Sequence, residues 1–211
     1  MKILFQGDSV TDACRDRSNI HDLGEGYPKY AAAMMQDAFS HVDFEFINLG
    51  IGGNRTEHLV ARLENDFVDI QPDIVSIMIG INDVWHRHSH NIPTSDEDIE
   101  RNYRTVLEAI KSRTHARILI IQPLLMESAN PGVAELREEL TAAQAIIKRL
   151  ADEYADAYLP LDTILNTETK EAPTYYTADG IHPTPDGACY IGEAYLKAIA
   201  PLIELLSKEA D

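Results

Sequence analysis

The 211-residue chain carries 45% hydrophobic and 25% charged residues, a mix that suits one soluble globular unit with one substantial core. Its net charge of −17 would repel a nucleic-acid phosphate backbone, and no cluster of Lys and Arg offsets that repulsion. No apolar run approaches the ~18 residues that a membrane span requires, and two cysteines are too few for a disulfide framework or a zinc site.

The chain opens on Met1-Lys2-Ile3-Leu4-Phe5, which reads directly into a buried strand without a cleavable signal pattern. A cytoplasmic protein with two free thiols is the expectation. The first strand spans Lys2–Gln6 and ends in Gly7-Asp8-Ser9-Val10-Thr11-Asp12. A serine leaving a strand here presents its hydroxyl and its own N–H at the sheet edge, although Gly, Asp and Ser are also ordinary turn residues. Cys14 is a second nucleophile close by, but no Cys/His motif surrounds it. A helix is predicted over Tyr27–Phe39, then a strand over Phe44–Leu49 that runs into Gly50-Ile51-Gly52-Gly53-Asn54. Glycines there let the backbone approach a ligand and aim N–H groups at it. They do not form a dinucleotide fingerprint, because Arg55 occupies the third glycine position and the segment follows the second strand.

A helix over Thr56–Val68 precedes a strand over Ile74–Ile79, which ends in Gly80-Ile81-Asn82-Asp83-Val84-Trp85. The Asn82 amide is an uncharged donor suited to an oxyanion. Asp83 is suited to orienting the loop by bonding backbone N–H groups, although Asn-Asp after a strand is more often an ordinary turn. The stretch Asp83–Thr94 reads as a loop holding Trp85, His86, His88 and His90, a polar and aromatic wall of the kind that suits a sugar. Alternate histidines in an extended segment could also ligate a metal, but no carboxylate or cysteine pattern completes a zinc site.

Ser95-Asp96-Glu97-Asp98 forms a helix cap, followed by Ile99, Tyr103, Val106, Leu107 and Ile110 at helical spacing. A strand over Arg117–Gln122 and a helix with the stripe Leu136, Leu140, Ala143, Ile147, Leu150 and Tyr154 come next, then a strand over Ala157–Leu161. The last constellation is Asp179-Gly180-Ile181-His182-Pro183, ahead of a helix opened by Thr184-Pro185. An imidazole can take and return a proton near neutral pH, and a carboxylate three residues away can orient it. Taken alone, this is also an ordinary surface loop.

Strand and helix alternate throughout, which predicts a single α/β domain: a three-layer sandwich with a five-stranded parallel sheet. All four polar constellations fall after strands, or in a loop that can reach the same sheet edge, where such sheets bind ligands.

In that order, Gly7-Asp8-Ser9, the Gly53 segment, Gly80-Ile81-Asn82-Asp83 and Asp179-Gly180-Ile181-His182 resemble the four blocks of the SGNH hydrolases, also called the GDSL esterase family. Val10 stands where the family name implies leucine. The resemblance implies a flavodoxin-like fold and an esterase without metal or cofactor. It makes Ser9 the nucleophile, His182 the base and Asp179 its orienting acid. The Ser9 N–H, the Gly53 N–H and the Asn82 amide would form the oxyanion hole. Two stretches, Gly7–Asp12 with Gly26-Tyr27 and Pro72–Trp85, resemble bacterial acetylxylan esterases of this family. That likeness implies an acetylated sugar substrate such as a xylo-oligosaccharide, contacts to it from Asp8, Tyr27 and Trp85, and a homo-oligomer. A lysophospholipase or thioesterase of the same family, a binding protein without catalysis, and a nucleotide-binding protein are the competing readings.

Overall fold

The five apolar runs form the strands of one parallel sheet: β1 (Lys2–Gly7), β2 (Glu45–Asn48), β3 (Ile74–Met78), β4 (Arg117–Ile121) and β5 (Ala157–Leu159). Their order across the sheet is β2-β1-β3-β4-β5, and every pairing is parallel. The computed structural model describes residues 1–210.

Side chains alternate between two cores, as the two-residue repeat of a strand requires. Leu4, Val75, Ile77, Ile118 and Ile120 face one layer, while Ile3, Phe5, Ile74, Met78, Leu119 and Ile121 face the other. The connecting helices are α1 (Ser9–Asp12), α2 (Tyr27–Ala38), α3 (Thr56–Ala61), α4 (Ile81–Ser89), α5 (Asp96–Arg113), α6 (Arg137–Tyr154), α7 (Leu161–Glu168), α8 (Pro173–Tyr176) and α9 (Pro185–Ala210). Helices α3, α5 and α6 cover the first face; α2, α7 and α9 cover the second. Both sheet faces are thus buried, which is why the strands read as continuous apolar runs. Each fully buried large side chain contributes roughly 1.5–3 kcal/mol.

Three local outcomes differ from the sequence reading. The stretch after Gly80 is helical through Ser89, so only its last residues form a loop. The helix over Thr56–Val68 is interrupted after Ala61 and resumes as a wider π turn over Glu64–Val68. β5 stops at Leu159 because Pro160 cannot continue a strand ladder, and Leu161 instead opens α7.

The chain leaves β1 toward β2 on one side and leaves β3 toward β4 on the other. This reversal opens a crevice between the C-terminal ends of β1 and β3.

Candidate active site

Ser9 stands at that crevice because of what surrounds it in sequence. Gly7 ends β1 where a Cβ would overlap the Met78 carbonyl and the Thr11 hydroxyl, so the chain can turn there only as glycine. Asp8 then caps the one-turn helix α1, its Oδ1 accepting the Val10 N–H at 3.1 Å, and Ser9 is the first residue of that turn.

His182 reaches Ser9 from the far end of the chain. Ser9 Oγ and His182 Nε2 are 2.9 Å apart, and His182 Nδ1 lies 2.6 Å from Asp179 Oδ2. An ionised carboxylate only accepts, so Nδ1 carries a proton toward Asp179 and Nε2 accepts from the Ser9 hydroxyl. Asp179 Oδ1 also accepts the N–H groups of Ile181 (2.9 Å) and His182 (2.7 Å). Partial burial pushes the Asp179 pKa up, but these bonds outweigh it and hold the carboxyl below its usual range. The loop is fastened from β4's side: Asn130 Nδ2 donates to the Asp179 carbonyl at 3.0 Å, and the Met126 N–H donates to the Gly180 carbonyl at 2.7 Å.

The two donor segments flank the serine. Gly53 is exposed with φ +80°, a left-handed conformation that favours glycine. Its N–H and that of Ser9 have no protein acceptor among the described residues. Asn82 is buried and donates one amide N–H to the Asn54 carbonyl at 3.0 Å, leaving its second N–H for a ligand. Asp83 anchors the start of α3, accepting from the Thr56 N–H (3.0 Å) and the Thr56 hydroxyl (2.7 Å). Burial raises its pKa to about 6 against the pull of those bonds. A serine, a tautomer-fixed histidine and free amide donors, set at one edge, can carry out acyl transfer through a serine ester.

The residues read as substrate contacts divide. The Trp85 ring lies half-buried, 6.4 Å from the His182 ring, and is the one of the three that stands beside the Ser9–His182 pair. Tyr27 does not reach the cleft. It is a core residue packed on Phe5 and Tyr195, with its hydroxyl 3.2 Å from that of Thr11. Its spacing with Ala31 and Met35, four residues apart along α2, is the sequence signal for that burial. Asp8 is likewise sealed beneath the serine at 1% exposure, so it caps α1 and cannot touch substrate. Burial pushes its pKa up to about 7, opposed by the Val10 N–H and His182 and assisted by Asp83.

The three histidines diverge because they lie on or just beyond a helix. His86 and His90 pack ring against ring at 4.5 Å, whereas His88 bonds Glu139 at 2.8 Å. A cleft of about 700 Å³ opens beside Ser9 and His182, lined by Asp12, Arg17 and Glu25 and by the apolar Val10, Pro183 and Ala188. Cys14 also lines it.

This fold and site define a hydrolase of the α/β class. The chain belongs to the GDSL-like lipase/acylhydrolase family, whose model matches residues 5–188, and it is a carboxylic ester hydrolase. It is 29% identical over 206 residues to an acetylxylan esterase of Geobacillus stearothermophilus, covering 94% of this chain and 93% of that protein. It is 27% identical over 157 residues to thioesterase 1/protease 1/lysophospholipase L1 of Escherichia coli K12, covering 74% and 68% of the two chains. The crystal structure of a GDSL-like protein from Parabacteroides merdae superposes with a TM-score of 0.89 at 28% identity, covering 94% of this chain and 95% of that one.

Proposed function

We propose that the protein removes acetyl groups from carbohydrate esters, with short acetylated xylo-oligosaccharides as the substrate class and Ser9 as the nucleophile. The likeness to an acetylxylan esterase, which covers 94% of this chain and 93% of that protein, carries the substrate assignment. In the reaction, Ser9 Oγ attacks the acetyl carbonyl as its proton passes to His182 Nε2. Asp179 stabilises the imidazolium through Nδ1. The tetrahedral oxyanion is held by the N–H groups of Ser9 and Gly53 and the free amide N–H of Asn82. His182 returns the proton to the departing sugar hydroxyl, leaving acetyl-Ser9. Water, deprotonated by His182, then releases acetate and restores the serine.

Acetate release from acetylated xylo-oligosaccharides, with wild type and Ser9→Ala compared side by side, tests this. Release by wild type alone is expected. Cleavage of p-nitrophenyl acetate without release from the oligosaccharide would retain the esterase and discard the sugar. A second reading, a long-acyl thioesterase or lysophospholipase, is favoured by the apolar lining of the cleft by Val10, Pro183 and Ala188. Octanoyl p-nitrophenyl ester hydrolysed faster than the acetyl ester would select it.

A further inference from the structure

The loop that carries the Gly53 donor contains two successive glycines, Gly52 and Gly53, which give a backbone its greatest freedom. A donor on such a loop has no fixed position of its own, so something else must hold it. The loop is pinned along its length. The Gly50 N–H donates to Asn48 Oδ1 at 2.9 Å, and the Gly50 carbonyl accepts from Arg15 Nε at 3.0 Å. The Ile51 N–H donates to the Gly7 carbonyl at 3.1 Å, and the Asn54 carbonyl accepts from Asn82.

A further anchor is a side chain from the turn that carries Ser9. Asp12 Oδ2 accepts the Gly52 N–H at 2.8 Å. Asp12 is 6% exposed, lies one turn beyond Ser9 in α1, and is paired with Arg17. The loop also passes directly against the serine: a Cβ on Gly52 would lie 3.7 Å from Ser9 Cβ and 3.4 Å from Asp12 Oδ2. One carboxylate therefore ties the residue next to the Gly53 donor to the helix that carries the attacking oxygen.

We infer that Asp12 is a positioning residue: by binding the Gly52 N–H it holds the Gly53 donor in register with Ser9, and Arg17 holds Asp12 in turn. The inference rests on the esterase chemistry of Ser9. The bond it invokes acts on the oxyanion, so it belongs to the transition state and not to substrate binding.

Hydrolysis of p-nitrophenyl acetate by wild type, Asp12→Ala, Asp12→Asn and Arg17→Ala tests it, with wild-type turnover checking the esterase reading by itself. Asp12→Ala is expected to lower kcat by about 10- to 100-fold with KM within about threefold. Affinity for phenylboronic acid, whose tetrahedral adduct on Ser9 needs the same donors, should fall by a similar factor. Asp12→Asn keeps an oxygen for the Gly52 N–H and should recover kcat to within about fivefold of wild type. Unchanged kcat in Asp12→Ala, or a raised KM with kcat intact, overturns the inference. An equal loss in the Asn and Ala variants does so too. Should Asp12→Ala fail to fold, Arg17→Ala decides: the half-exposed arginine can be removed without cutting the brace itself, a several-fold loss of kcat is expected, and no loss is refuting.

Discussion

Asp8 sits directly before Ser9, yet its effect on the molecule is felt in stability. Its folded pKa of about 7 lies well above the ordinary carboxylate value of 3.8. Between those two values the folded state holds a proton that the unfolded chain has released. Stability therefore falls as pH rises from about 4 through about 7, by up to roughly 4 kcal/mol, and is level above that. Asp8→Asn keeps an oxygen for the Val10 N–H and removes the charge. Thermal melts from pH 5 to pH 8 should show the variant gaining on wild type as pH rises, and a constant difference would contradict the shift. The same residue marks a limit of reading from sequence. The resemblance names Asp8 and Tyr27 as neighbours of the substrate, but adjacency in the chain does not report which way a side chain points. Both point inward.

At the scale of elements, legibility followed the strength of the local signal. The α5 cap is present as read: Ser95 Oγ accepts the Asp98 N–H at 3.1 Å, and Asp98 Oδ2 accepts the Ser95 N–H at 3.0 Å. Ser95→Ala should cost about 1 kcal/mol, which differential scanning calorimetry would register as a fall in Tm of roughly 2–4 °C. Helix α4 gives no such signal. It begins at Gly80 without a side-chain cap, and its buried residues Ile81, Asn82, Asp83 and Val84 are consecutive instead of periodic, with the polar His86–Ser89 following Trp85. Its apolar and polar groups are buried because β3 delivers them into the crevice, a tertiary fact that no helical period encodes. Asp12 is illegible for a related reason. Its partner, Gly52, lies 40 residues on, and only the β1–β2 pairing brings the two together.

At the scale of the molecule, the surplus of 35 acidic over 18 basic residues matters more than any one ion pair. The surface pairs, such as Lys29 with Glu25 and Lys148 with Asp152, are half-exposed and contribute little each. Mutual repulsion of the excess carboxylates opposes the compact state, and salt screens it. Raising NaCl from about 10 to 200 mM should therefore increase Tm by a few degrees at pH 8. A fall would mean that the ion pairs outweigh the repulsion.

The hydrogen bond between Ser9 and His182 joins residues 173 positions apart in the chain. Few contacts in a protein of this length close a larger loop, and such contacts form late, since the chain between must first become ordered. During synthesis Ser9 emerges 173 residues before His182. Throughout that interval the serine lacks the base that the proposed chemistry requires. In refolding, returning turnover would accordingly time the docking of the Asp179–His182 loop against Ser9.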